Sequence, residues 1–428
     1  MRLLRPESVT TMAESDDTTN ARACDQRALR IVHVMRAPVG GLFRHVLDLS
    51  GAQARAGHSV GLIVDAETGG ARAETALAQL APLLALGLRR VAMKRLPHWS
   101  DPLVAFRISK ILDALAPDIV HGHGAKGGLY ARLPAIIPAF PRAPRAVARV
   151  YTPHGGSLHF HPTTLVNRAL IFVERALEGV TDLIPFESDF ARRRFIANIG
   201  LTRARAVVAH NGVTEGEFLP LAPAPDAADF LYVGEWRRLK GIDTLLEALA
   251  RLNTRGGRLF RLALVGGGPD EAVLRALAAS LGVSEAVSFS PPMEARAAFR
   301  LGRVVVVPSR AESLPYIVLE AVAAHRPVVA TNVGGIPEIF GPQAHRLVPD
   351  DNPARLAEAM LAAAALEPAA MAALTQEMAD FVRASFSVIR MVEIIVTAYR
   401  ETLLTAGKAT TCAPGPEGLG MRSGDLAK

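Results

Sequence analysis

The chain has 428 residues, of which 50% are hydrophobic, 5% aromatic and 21% charged, enough for two domains that each bury a core. No run of about 18 apolar residues occurs, which argues against a membrane span. Residues 76–88 are broken by Gln79, Pro82 and Gly87 and read as a core helix and turn. Residues 1–30 lack the apolar stretch of a signal peptide. The two cysteines, Cys24 and Cys412, exclude a disulfide scaffold and fit a reducing cytoplasm. The net charge is +7, with arginines grouped at Arg142, Arg145 and Arg149 and again at Arg192, Arg193 and Arg194. Such an excess is either a solvated surface or a surface for an anionic partner. With no aromatic-basic RNA-binding signature, zinc knuckle or helix-turn-helix pattern beside it, nucleic acid is the weaker choice.

Residues 1–28 are polar and aperiodic and read as a disordered leader. From residue 29 a unit repeats: a short β-branched run, a turn rich in Gly or His, then an amphipathic helix. Strands are expected at 30–35, 59–64, 118–121, 146–152, 181–185 and 206–209, with helices at 42–56, 101–116, 126–138, 163–178 and 187–198. A stretch with Asn-Gly and prolines at 220, 223 and 225 follows and reads as a linker, 213–228, between domains at 29–212 and 229–385. The second set has strands at 229–233, 259–265, 286–289, 304–307 and 327–330. Its helices fall near 241–252, 269–281, 293–301, 316–324 and 353–366. Val388, Met391, Val392, Ile395, Val396, Tyr399 and Leu403 recur at spacings of three and four, giving a long amphipathic helix over 386–406. The tail, 407–428, is again poor in apolar residues. Strands alternating with helices predict an α/β fold: two doubly wound parallel sheets facing across a cleft. Ligands in such sheets sit beyond the carboxyl ends of the strands, so the residues following the strands matter most.

Those residues carry chemistry. Gly40-Gly41 follows the first strand, where a backbone without side chains can approach a phosphate at a helix N-terminus; a plain turn explains it equally. His154, in Thr-Pro-His-Gly, can bond a sugar hydroxyl or simply cap a turn. His121 and His123 suggest a metal, yet no carboxylate or cysteine at ligand spacing supports one. Arg237, Arg238 and Lys240 follow the first strand of the second half. Lys240 stands at a helix start, where a cation is unfavourable unless an anion is present. Gly267, within Gly-Gly-Gly-Pro, repeats the strand-glycine-helix design or is a tight turn. The most informative stretch is 308–321, with Glu312 in a loop after an apolar strand and Glu320 inside the next helix. The amides of Ser313, Leu314, Tyr316 and Ile317 would be the open donors of a helix start, suited to a diphosphate. Glu312 is then better aimed at neutral sugar hydroxyls, and Glu320 at the two hydroxyls of a ribose.

With these residues in view, the sequence resembles the retaining nucleotide-sugar glycosyltransferases of family 4, which have the GT-B fold. The likeness runs from about residue 31 to 404 and is most specific at Glu312 and Glu320, separated by seven residues within Pro-Ser-x-x-Glu and Leu-Glu-Ala. It extends to Gly40-Gly41, His210-Asn-Gly-Val213, Val333-Gly-Gly-Ile-Pro-Glu338 and the final helix, which in the family returns to the N-terminal domain. The resemblance implies that Glu320 holds the ribose, Glu312 and His154 contact the donor sugar, Lys240 neutralises the diphosphate, and the backbone at 40–41 approaches it. It implies no obligatory cofactor, a nucleotide diphosphate sugar as co-substrate, and a glycan or lipid-linked acceptor in bacterial-type polysaccharide or glycolipid synthesis. The basic residues would then dock the protein on the inner face of an anionic membrane.

Two positions depart from the family. Glu235 stands where an arginine is usual, so Arg237 or Arg238 must supply the second positive charge. Pro315 replaces a glycine and has no N–H to offer. Two other readings share the architecture: a sugar-nucleotide epimerase and a non-catalytic sugar-nucleotide-binding protein. A nicotinamide dehydrogenase is disfavoured, because the G-x-G-x-x-G fingerprint is missing.

Overall fold

The computed structural model describes residues 27–137, 147–155, 164–254 and 257–405. The expected leader up to residue 26, the tail from 407, and Cys24, Arg142, Arg145 and Cys412 lie outside the described residues. Seven strands form the first sheet: β1 (Arg30–Met35), β2 (Ser59–Asp65), β3 (Gly87–Val91), β4 (Ile119–His123), β5 (Ala148–Thr152), β6 (Leu183–Phe186) and β7 (Arg205–Val208). Their order is β3-β2-β1-β4-β5-β6-β7. Five strands form the second: β8 (Ala228–Glu235), β9 (Leu262–Gly267), β10 (Val287–Ser290), β11 (Gly302–Val307) and β12 (Val328–Ala330). Their order is β10-β9-β8-β11-β12. All pairings in both sheets are parallel. In each sheet the order reverses once, beside β1 and β4 in the first and beside β8 and β11 in the second. These are the points where the connecting loops part and leave a crevice.

The first half carries helices α1 (Gly40–Arg55), α2 (Gly70–Leu80), α3 (Asp101–Leu115), α4 (Gly124–Ile136), α5 (Leu165–Glu178) and α6 (Asp189–Asn198). The second carries α7 (Ile242–Thr254), α8 (Glu271–Ser280), the short α9 (Ala295–Ala298), α10 (Tyr316–Ala323), the short α11 (Ile336–Phe340), α12 (Pro353–Ala364) and α13 (Pro368–Ser385). The central strands are buried on both faces. Ile31, Val32, Val34 and Met35 are inaccessible in β1, as are Val305 and Val306 in β11. That is why these strands read as continuous apolar runs rather than alternating ones.

Three elements have no counterpart in the sequence expectation: β3, the short α11 and α13. β3 has the sequence GLRRV and lies at the sheet edge, where arginines discourage further pairing and leave no apolar alternation to read. Helix α2 precedes it and is the core helix expected near 76–88, beginning six residues earlier, at Gly70, and ending at Leu80. Helix α13 is Ala-rich and buries only Thr375, Met378, Ala379 and Val382, a stripe too thin to stand out in the sequence. The proline-rich connection also has structure. Thr214 and Glu217 form a reciprocal capping box on a turn at Glu215–Phe218, and Phe218 is buried in the second half's core.

The last helix, α14 (Val388–Thr405), belongs to the first half. Met391, Ile395, Ala398, Tyr399 and Leu403 pack with Leu29, Ile31, Leu49 and Val150. Burying large side chains of this kind contributes about 1.5–3 kcal/mol each. The chain therefore crosses between the halves twice, at one place. Val213 donates to the Phe386 carbonyl at 2.8 Å and accepts from the Val388 amide at 3.1 Å. A Cβ on Gly212 would lie 2.4 Å from the Ser387 carbonyl carbon, so no side chain fits there.

Candidate active site

Loops from the crevices of both sheets meet. In the second half, the loop after β8 ends in a 3-10 turn at Arg238–Lys240, and the loop after β11 holds Glu312. Lys240 Nζ lies 2.6 Å from Glu312 Oε1, and Ser309 Oγ donates to the same oxygen at 2.7 Å. Glu312 thus supplies the anion that a lysine at a helix start needs. Arg310 ties the two loops together. Its amide donates to the Leu239 carbonyl at 2.9 Å, and its guanidinium spans Asp243 at 2.8 and 2.9 Å.

The Val333–Glu338 segment holds the Glu312 loop from behind. Gly334 has φ 61°, and a Cβ there would fall 1.8 Å from the Glu312 carbonyl oxygen; one on Gly335 would fall 2.3 Å from that of Ser313. Only glycine admits this contact. Glu338 reaches across to the first half and accepts from the Asp189 and Phe190 amides at 2.8 and 2.9 Å and from His210 Nε2 at 3.0 Å. Burial alone would raise its carboxyl, and these bonds outweigh that and lower it. Ser313 Oγ bonds Glu187, and Asn211 Nδ2 donates to the Leu314 carbonyl at 3.0 Å. Among the described residues, the amides of Ser313, Leu314, Tyr316 and Ile317 donate to no protein acceptor outside regular elements.

Glu320, in the second turn of α10, meets a residue that the sequence reading missed. Arg44 of α1 places Nη1 2.6 Å from Glu320 Oε1, Nη2 2.6 Å from Glu217 Oε2 and Nε 2.7 Å from Asp48 Oδ2. Its guanidinium carbon lies 5.2 Å from the centre of the Tyr316 ring. One cation therefore joins three carboxylates across the two halves. Burial pushes the Glu320 carboxyl up to about 7, with Arg44 pulling against it and Glu217 and Asp48 adding to it. The i,i+4 spacing of Arg44 and Asp48 was visible in the sequence; the partners 173 and 276 residues away were not.

The first half contributes a cluster of five histidines. His33 and His121 are paired across β1 and β4, and His123 pairs with Thr152 across β4 and β5. His33, His45, His121 and His123 are buried, and His154 is half-buried with φ 49°. Hydrogen bonds link Gln53 Oε1 to His33 Nε2 (2.8 Å), His33 Nδ1 to His123 Nε2 (2.9 Å) and His123 Nδ1 to His154 Nε2 (3.0 Å). His121 bridges Tyr399 Oη at 2.6 Å and Thr152 Oγ1 at 2.8 Å. His45 Nδ1 lies 2.9 Å from Asn211 Oδ1. Burial lowers every one of these imidazoles, His33 and His45 to about 4 and the other three well below their ordinary value, so all are neutral near pH 7. Ring nitrogens of His33, His121 and His123, and of His45, His123 and His154, lie within 4.8 Å of one another. The sequence pointed to His121, His123 and His154; strand pairing adds His33, and α1 adds His45.

Gly40 (φ 66°) opens α1 with free space at its Cβ position, and a Cβ on Gly41 would sit 3.3 Å from the Tyr316 ring. The glycine pair and the start of α10 therefore face each other. Arg237 and Arg238 are exposed, and Arg237 Nε lies 3.3 Å from Glu235, so the residue in the usual arginine position holds a neighbouring arginine. Gly267 has room at its Cβ position; the tight contacts are at Gly266 and Gly268, against the Gly234 carbonyl and the Trp236 backbone.

Two facing parallel-sheet halves with loops converging from both crevices define a GT-B architecture. Solved structures agree: sucrose-phosphate synthase from Thermosynechococcus elongatus superposes with a TM-score of 0.70 at 19% identity, covering 88% of this chain and 100% of that one. Anabaena HepE in complex with UDP-glucose gives a TM-score of 0.70 at 16% identity, with the same coverage. Residues 39–216 match the family described as Glycosyltransferase Family 4, and residues 227–365 match Glycosyl transferases group 1. The chain belongs to the family 4, group 1 glycosyltransferases. Among curated relatives, the D-inositol 3-phosphate glycosyltransferase of Acidothermus cellulolyticus is 40% identical over 147 residues, 32% of this chain and 33% of that protein. The chain spans about a third to just over half of the length of the first curated relatives it matches.

Proposed function

We propose that the protein is a retaining glycosyltransferase that moves a sugar from a nucleotide diphosphate sugar to a glycan or lipid-linked acceptor in polysaccharide or glycolipid synthesis. The observation that carries this reading is the Lys240–Glu312 pair at 2.6 Å, with the open amides of Ser313, Leu314, Tyr316 and Ile317 and with Glu320 one helix turn beyond. A bound diphosphate takes the place of Glu312 as the partner of Lys240, which frees Glu312 for the sugar. Glu320 accepts from the ribose hydroxyls. The amides and Lys240 stabilise charge that builds on the leaving diphosphate, preorganised electrostatics of the kind that dominates such steps. His154 accepts or donates at a sugar hydroxyl. The acceptor attacks on the face from which the diphosphate leaves, and that diphosphate takes the hydroxyl proton. A neighbouring fold that binds UDP-glucose and relatives that transfer sugars support a nucleotide-sugar donor.

The test is a panel of nucleotide sugars with detection of the released nucleotide diphosphate. Absence of release or binding with every donor refutes the proposal, and product formation without an acceptor would favour an epimerase.

For location, the reading is the inner face of an anionic membrane. Arg192 and Arg193 both pair with Asp189, which weakens the arginine cluster as the contact. Helix α5 is the better surface: Leu165, Val166 and Phe172 are 82%, 67% and 73% exposed, beside the exposed Arg168. No single helix among the described residues is long and apolar enough to cross a membrane.

A further inference from the structure

The histidine cluster has an internal logic that the transfer reaction does not by itself require. A neutral imidazole has one N–H and one lone pair, so each hydrogen bond between two rings fixes both. In the chain Gln53–His33–His123–His154, both nitrogens of His33 and of His123 are engaged. Gln53 turns Oε1, which only accepts, to His33 and leaves its own Nε2 buried without a hydrogen-bond partner; with the amide in this orientation His33 carries its proton on Nε2 and offers a lone pair at Nδ1. His123 then donates from Nε2 and offers Nδ1, and His154 donates from Nε2. The last free nitrogen, His154 Nδ1, is left with a lone pair just past the carboxyl end of β5.

A second chain meets this one. Asn211 must turn Nδ2 toward the Leu314 carbonyl, which fixes Oδ1 toward His45 and makes His45 Nδ1 the donor. His45 Nε2 is then a buried lone pair without a hydrogen-bond partner, and its ring stands edge-on to His154 with centroids 4.6 Å apart. The proton on His154 Nε2 lies against the lone pair of His123, a placement electrostatics favours.

We propose that Gln53, His33 and His123 form a positioning relay that holds His154 in its Nε2–H tautomer, so that Nδ1 accepts a hydrogen bond from a hydroxyl of the donor sugar. A lone pair there selects a neutral polyol and repels phosphate oxygens, which are acceptors only. The relay rests on the glycosyltransferase reading for its ligand, though not for its tautomer.

The experiment is ¹⁵N histidine NMR of the donor-free, full-length protein at neutral pH, for wild type, Gln53→Met and His33→Phe. The expected wild-type spectrum has His154 protonated on Nε2 alone, and both variants populate the two tautomers. In turnover assays with the active donor, kcat/KM falls about 5–10-fold in each variant, the scale of one weakened hydrogen bond. In a series of deoxy-sugar donors, the one lacking the recognised hydroxyl is turned over equally by wild type and variants. An Nδ1–H or mixed tautomer in the wild type overturns the relay even should a variant fail to fold. So does an unchanged tautomer in Gln53→Met, whatever the kinetics. A changed tautomer with every donor unaffected leaves the relay standing and overturns the hydroxyl contact. Stoichiometric uptake of Zn²⁺ lost in His45→Ala would also overturn it, by showing that the lone pairs converge on an ion instead.

Discussion

Replacing Arg44 by methionine keeps much of the side-chain bulk and removes the cation shared by Glu320, Glu217 and Asp48. With Arg44 present, burial holds the Glu320 carboxyl at about 7. Without it, Glu217, Asp48 and Glu294 still push the carboxyl up, and the strongest charge pulling it down is gone. Two unit charges about 4 Å apart at an effective dielectric near 20 interact by roughly 4 kcal/mol, on the order of three pH units. The guanidinium is 28% exposed, so solvent screening reduces this to roughly one to two units. Ribose hydroxyls need the ionised carboxylate as acceptor, so wild-type affinity for a nucleotide diphosphate sugar rises with pH through about 7 and then levels. In Arg44→Met the same rise is displaced to roughly pH 8–9, because loss of a cation raises a carboxyl. Calorimetric titration with UDP-glucose, or whichever donor the panel identifies, between about pH 6 and 9.5 reads both midpoints; the donor's diester-type diphosphate does not titrate in that range. A wild-type profile flat in pH, or a midpoint unmoved in the variant, refutes the placement of Glu320 at the ribose.

Lys240→Ala and Glu312→Ala each lower turnover by roughly 10²-fold, the scale of one preorganised charged group, and the double variant loses less than the product because the two residues are partners; near-normal rates in both single variants would remove them from the site. Gly334→Ala drives a methyl into the Glu312 carbonyl and forces a side chain onto a φ of 61°, so a loss of about 2–4 kcal/mol in urea unfolding is expected together with depressed turnover. Wild-type stability would show that the loop is free to move. Phe172→Asp lowers partition onto anionic vesicles about tenfold or more, since burying a phenylalanine contributes roughly 1.5–3 kcal/mol. Partition equal to wild type would send the search back to the arginines at 192–194.

Much of this architecture is legible in the chain because both sheets are covered on both faces, which forces central strands such as β1 and β11 into continuous apolar runs. The strand ends then single out Gly40, His154, Lys240 and Glu312, while leaving a plain turn open at Gly40 and His154. Edge strand β3 escaped since its solvated arginines carry no alternation, and α13 since alanines bury little surface. At the site, individual residues were readable and their companions were not. Arg44 looks like half of an ordinary helical i,i+4 pair, and its bond to Glu320 spans 276 residues of sequence. His33 reads as one more strand position until the register of β1 against β4 sets it opposite His121. Lys240 is expected from sequence to face a phosphate, and the fold also pairs it with Glu312.

The double crossing at Val213 and Val388 has a mechanical meaning. Two passages of the chain, hydrogen-bonded to each other and packed too closely for any side chain at Gly212, act as a pivot rather than a tether. Any relative motion of the halves must swivel about that point, and sliding is suppressed. Asn211 directly precedes Gly212 at that crossing. Its bonds to His45 and the Leu314 carbonyl therefore join the halves beside the point about which they turn.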